Sequence, residues 1–152
     1  MDGEILAWIV LRAAYAWMFL VPVPVLLRDW PRTVETTALL FTRYTEWFAR
    51  ASLAAMIFGS VSILFGIYGR LGALALLIFS LGGAIVHKRL AQFAFEMNLS
   101  GSASAEDQTT AGQLRSLAFA GHMTSGQKNY VLAALALFFL LQGTGPASLM
   151  GP

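Results

Sequence analysis

The chain contains no cysteine, and only 12% of its 152 residues are charged. The first absence excludes disulfides, thiol redox chemistry and thiolate metal sites, and leaves the redox compartment open. The second excludes an ordinary soluble surface, since soluble domains carry about a quarter charged residues. Histidine occurs only at His87 and His122, no Ser/His/Asp set is visible, and the apolar runs hold no pair of carboxylates suited to proton transfer. A catalytic constellation and a protein-only metal site therefore have no candidates. The ten Lys and Arg residues stand singly or in pairs, not in a stripe, which argues against a nucleic-acid partner.

What is abundant is apolar. Hydrophobic residues make up 57% of the chain, mean hydropathy is +0.66, and the pI of about 9.3 rests on a net charge of only +2. These values describe an integral membrane protein. Residues 51–69 and 71–87 form two apolar runs joined across Arg70, a pattern that predicts a membrane hairpin. Residues 5–27 and 125–143 supply two more spans, each long enough to cross a hydrocarbon core of about 30 Å. The expected fold is all-α, a four-helix transmembrane bundle in a single domain. The first four residues lack the basic region of a signal peptide, so the first segment is expected to be retained as a helix.

Several positions complicate this plan. Arg12 lies seven residues into the first span, where it either snorkels to the interface or pairs with an anion inside the bundle. Pro22 and Pro24 predict a kink or an end near Leu20. Between the first two spans, Leu40, Tyr44, Trp47, Phe48 and Ala51 recur at helical spacing, with Arg43, Glu46 and Arg50 on other faces. This predicts an amphipathic interfacial helix within 28–50, preceded by a turn at Trp30-Pro31. Ala51, Ala55, Gly59 and Gly66 form a small-residue face for close helix packing, and Gly82-Gly83 offers another. Trp47, Tyr68 and Arg70 are expected to anchor at the membrane surface. Residues 98–112, rich in Ser, Gly, Ala and Thr, read as a flexible loop, with one or two helical turns at 114–120 and a cap at Thr124 or Ser125 for the last span.

Eight basic residues fall in the 28–50 and 88–128 segments against Arg70 alone on the opposite side. The positive-inside bias then places both segments in the cytoplasm and both termini outside, in a bacterial inner (plasma) membrane protein. The sequon at Asn98-Leu99-Ser100 would be unglycosylated there.

The stretch Phe58-Gly-Ser-Val-Ser-Ile-Leu-Phe-Gly-Ile-Tyr-Gly-Arg-Leu-Gly-Ala73 resembles the second-to-third helix hairpin of the DoxX family, small four-helix membrane proteins. The closing Gln142-Gly-Thr-Gly-Pro-Ala-Ser-Leu149 is similar to that family's glycine, small residue, serine, leucine pattern, and Arg12 falls where many members carry an arginine. Many members also have a glutamate one turn before the position of Gly59, where this chain has Ala54, Ala55 and Met56, and the 88–128 segment is longer than is usual for the family. The resemblance implies a component of a quinone-linked oxidoreductase, as in thiosulfate:quinone oxidoreductase. Three functions follow as expectations: a small non-catalytic subunit packed onto a larger electron-transfer complex, a self-contained quinone-interacting oxidoreductase, or a small transporter or channel. No cofactor is expected to be bound by this chain alone, beyond a quinone or lipid contact at Arg12 or His87. Two helix-end histidines also have the chemistry to ligate a haem axially. Trp8, Tyr15, Trp17 and Phe19 either line a quinone or pigment pocket or face lipid. The expected partners are the lipid bilayer and other membrane subunits.

Overall fold

A computed structural model describes residues 2–98 and 104–150. The described residues form helices and no strand: α1 (Gly3–Leu20), α2 (Val23–Arg28), α3 (Trp30–Ala38), α4 (Thr45–Phe65), α5 (Gly69–Glu96) and α6 (Ala105–Gln142). By length and composition three stretches are able to cross a membrane: Gly3–Arg28, Thr45–Phe65 and Gly69–Glu96. Only 22–33% of each apolar window is buried inside the protein, so most of each helix presents apolar surface outward, as lipid contact requires. The apolar part of α6 is confined to its second half, after Lys128 and Asn129.

The helices α1, α4, α5 and α6 share one core, built from Tyr15 and Phe19, Met56 and Ile63, Ala73 and Leu76, and Leu132, Ala136 and Phe139. On α1 the buried residues are Arg12, Tyr15, Ala16 and Phe19, a single stripe at helical spacing. The stripe seats α1 against α4 and α6, with the Tyr15 hydroxyl donating to the Leu132 carbonyl at 2.9 Å.

α1 stops at Leu20, and the chain turns at Val21-Pro22 before the single long turn of α2, the break that the two prolines dictate. The interfacial region departs from expectation. Residues 28–50 are not one amphipathic helix: α3 ends at Ala38, the backbone breaks over 39–44, and Tyr44 takes a left-handed conformation (φ 55°) before α4 starts at Thr45. Leu40 therefore reaches Gly82 on α5, and Phe41 stacks on Phe48 with ring centroids 3.8 Å apart. Trp30-Pro31 is no turn but the opening of α3, where Asp29 caps the Arg32 amide and Pro31 occupies a position that lacks an intrahelical partner in any case.

α4 also ends earlier than residue 69. Gly66 (φ 66°) closes it, with the Ile67 amide donating to Ser62 and the Gly66 amide to Ile63, the paired bonds of a Schellman motif. The α4–α5 crossing is set by small residues. A Cβ on Gly59 would lie 2.6 Å from the Leu76 side chain and 2.8 Å from the Gly72 carbonyl, while Gly72 sits directly against Ser62. Gly59 lies at this contact with Gly72 as its counterpart, Ala51 and Ala55 are half-buried above it, and Gly66 is an end cap outside the helix. Of the Gly82-Gly83 pair, Gly82 faces Leu40 and Gly83 packs on Asn129 of α6.

The largest correction is at α6. The segment 104–112 belongs to a helix, and residues 99–103, with Leu99 and Ser100 of the sequon, lie outside the described residues. Ser104 caps the helix by accepting from the Asp107 amide at 3.1 Å, its own hydroxyl donates to the Asp107 carboxylate at 2.7 Å, and Glu106 and Asp107 face the positive end of the helix dipole. Hydroxyls along the helix bond its own carbonyls four residues back: Thr109 donates to Ala105, Ser116 to Gly112 and Thr124 to Ala120. Neither Thr124 nor Ser125 is a cap, and Gly121 does not interrupt the helix. With 28 and 38 residues, α5 and α6 run roughly 42 and 57 Å, each longer than a membrane core of about 30 Å, and they pack against each other.

Candidate functional site

Arg12 is 4% exposed, in the interior rather than snorkelling. Its position on the stripe with Tyr15 and Phe19 forces this. Its guanidinium reaches the segment 143–150, which leaves the end of α6 and folds across the α4–α5 turn. Nη1 donates to Ser148 Oγ at 3.4 Å and Nη2 to the Ala147 carbonyl at 3.3 Å, while Nε has no partner. The segment is pinned from its other side, because the Leu149 amide donates to Phe65 and the Met150 amide to Gly66. Thr144 is buried against Gly69. Gly145 (φ 74°) lies flat on the Trp8 ring, where no side chain would fit.

The hydroxyl protons order this cluster. Ser148 donates its one proton to the Gly145 carbonyl at 2.6 Å. In the 2.7 Å contact between Thr144 and Ser148, Thr144 is therefore the donor, and Ser148 Oγ accepts from both Thr144 and Arg12. Three stretches distant in sequence, Arg12, the α4–α5 turn and 142–149, thus meet at one end of the bundle.

All eight Asp and Glu residues are exposed, so no carboxylate balances Arg12. Among the described residues the one ion pair is Glu46–Arg50 on the surface, at 2.5 Å. Arg12 here serves hydroxyl and carbonyl oxygens. A permanently charged guanidinium with such neighbours is able to hold an oxygen atom or stabilise negative charge, but it neither takes nor gives a proton. No group of three or more metal-ligating side chains occurs among the described residues.

His87 lies far from this cluster. It is eighteen residues along α5 from the turn at Gly69, roughly 27 Å by helical rise, so Arg12 and His87 do not share a ligand. His87 instead meets His122 of α6, Nδ1 to Nδ1 at 3.2 Å. An ion held between these two nitrogens would need about 4 Å, two metal–nitrogen bonds of about 2 Å end to end, which exceeds the gap. The first-helix aromatics do not line one pocket: Tyr15 and Phe19 are core, Trp8 lies under Gly145 and stacks on Phe138, and Trp17 faces outward. Trp47, Tyr68 and Arg70 are all exposed. A surface groove that neither Arg12 nor His87 touches runs beside α4, floored by Leu27, Leu53, Ala54 and Ile57 with Trp30 and Arg50 at its sides. Sequence reasoning missed Thr144, Ser148 and Gly72. Position in the closing motif was the available signal for the first two, and the Gly69-x-x-Gly72 spacing for the last.

No curated protein and no solved structure is similar enough to the chain to match it. A family model does match, over residues 7–89, which takes in α1 with Arg12, the α4–α5 hairpin and His87 and leaves α6 and the 142–149 segment outside. Because that match covers more than half of the chain, this membrane protein belongs to the DoxX family.

Proposed function

We propose that the chain is a small, non-catalytic membrane subunit of a quinone-linked electron-transfer complex, in which α1, α4, α5 and the apolar half of α6 all cross a bacterial inner membrane. Family membership supports the redox setting, since DoxX proteins are often subunits of quinone-linked oxidoreductases. The observation that carries the non-catalytic part is the use of Arg12. Its Nη groups are spent on Ser148 and Ala147 of the same chain, with no Asp, Glu or His side chain bonded to them among the described residues. With α6 as the fourth crossing, the 28–50 and 88–128 segments fall on one side, and the excess of basic residues there makes that side cytoplasmic. The apolar groove beside α4 suits a lipid acyl or isoprenoid tail. The purified chain alone, supplied with a soluble quinone and a chemical or thiosulfate donor, is expected to give no turnover; steady quinone reduction by it would overturn the reading.

A second reading, a self-contained quinone-interacting oxidoreductase, draws on the unpartnered Nε of buried Arg12, a donor without an acceptor. It requires Arg12→Ala to abolish quinone reduction, and full activity in that variant would remove Arg12 from the reaction.

A further inference from the structure

The chain has two histidines, thirty-five residues apart, and the fold brings them into contact. His87 lies on the α5 face that includes Ala84 and Ala91, and His122 lies on α6 one turn before Gly126. A Cβ on Gly126 would stand 3.7 Å from the His87 Cβ and 3.9 Å from the Ala84 carbonyl, so small residues on both helices are what allow the backbones close enough for the rings to touch. The two Nδ1 atoms are 3.2 Å apart and the ring centroids 5.5 Å. The centroid distance is nearly the nitrogen gap plus one ring radius on each side. The nitrogens therefore face each other along the line joining the rings, the alignment of an N–H···N hydrogen bond.

A metal fits this alignment poorly. Two bonds of about 2.0–2.1 Å laid end to end exceed the gap, and a tetrahedral ion would need the ring axes to converge at an angle instead of facing one another. A proton fits it well. In the neutral pair one ring carries its proton on Nδ1 and donates, while the other accepts on Nδ1 and carries its proton on Nε2. A first added proton goes to the free Nε2 of the donor ring and leaves the inter-ring bond in place, now charge-assisted. A second must go to the accepting Nδ1, which sets two N–H groups of two cations face to face.

We propose that His87 and His122 form a single-proton site across the α5–α6 interface, holding one proton between their Nδ1 atoms and excluding a second. The surrounding charge favours exclusion. Lys128 of α6 acts on His87, Lys88 and Arg89 follow it on α5, and neither ring bonds a carboxylate among the described residues. The site closes α5 against α6 when it holds no added proton or one, and double protonation pushes the helix pair apart at this contact. None of this depends on the redox reading.

The test is a pH titration of the full chain in detergent micelles, following the imidazole nitrogens by 15N NMR with labelled histidine. In the unsubstituted chain the neutral pair is expected to show one protonated and one unprotonated Nδ1. Protonation is expected in two separate steps, the second proton bound at least about tenfold more weakly than the first. His122→Gln and His87→Gln are each expected to leave one histidine that titrates in a single step. Two overlapping, independent titrations in the unsubstituted chain would overturn the proposal, as would two Nδ1 atoms in the same protonation state when neutral. The signals of the unsubstituted chain decide the matter even if a variant fails to fold. Addition of zinc is expected to leave both Nδ1 signals in place, and stoichiometric displacement of both by the metal would replace the proton site with a metal site.

Discussion

At the scale of single residues, Arg12 shows how a charge is tolerated inside an apolar bundle without an opposite charge. Hydrogen bonds to oxygen substitute for the absent acid, although they leave Nε unpaired. This arrangement makes an asymmetric prediction. Ser148→Ala keeps the charge and removes an acceptor, so it is expected to destabilise the protein by about 1–2 kcal/mol. Arg12→Met removes the charge, keeps much of the length, and leaves Ser148 bonded to Thr144 and Gly145, so it is expected to be neutral or stabilising. Denaturant melts of both variants in one detergent check the order. Arg12→Met falling below Ser148→Ala would show that the guanidinium supplies more than these two contacts. The sequence left Arg12 between snorkelling and an internal role, and the stripe that it shares with Tyr15, Ala16 and Phe19 is what puts it inside. Its partners were not legible, since nothing local reveals that a segment 135 residues away folds back over it.

At the scale of elements, the hairpin and α6 illustrate opposite uses of glycine. Gly59 and Gly72 are required by close approach, and Gly59→Leu is expected to cost about 1–3 kcal/mol through forced separation of α4 and α5. Gly112 and Gly121 have nothing within 4 Å and lie inside a helix, so Gly121→Ala is expected to stabilise by about 1 kcal/mol. Thermal melts followed by helical circular dichroism read both effects, and an unchanged midpoint for Gly121→Ala would restore the expected break between the helical turns at 114–120 and the last span. Of the small-residue face read from spacing on α4, Gly59 lies at the contact with α5, while Gly66 caps the end of the helix. The long α6 was misread because Ser, Thr and Gly signal loops only when their hydroxyls have no helical carbonyl to bond. Here Thr109, Ser116 and Thr124 each find one four residues back, and Ser104 with Asp107 supplies the start signal that composition obscured. The same error split α3 from its cap, since Asp29 followed by Trp30-Pro31 opens a helix as readily as a turn.

At the scale of the whole molecule, the membrane character and the DoxX membership rest on features that a sequence displays directly: uncharged runs, an ordered set of glycines and an arginine in the first helix. What the fold adds is their convergence. Arg12, the hairpin turn and the closing segment form one knot at one end of the bundle, while α5 and α6 run on as a pair toward the other end. Along that pair Phe93, Phe95, Leu114 and Leu117 are exposed. The proposed role, a subunit held in a larger assembly, builds on Arg12 being bonded within its own chain. Native purification in mild detergent, with identification of every accompanying protein and an absorption spectrum, tests this most directly. Cofactor-bearing redox subunits are expected to come with the chain and to account for all visible absorption. A stable, isolated monomer, or a chromophore that stays with this chain alone, would contradict it.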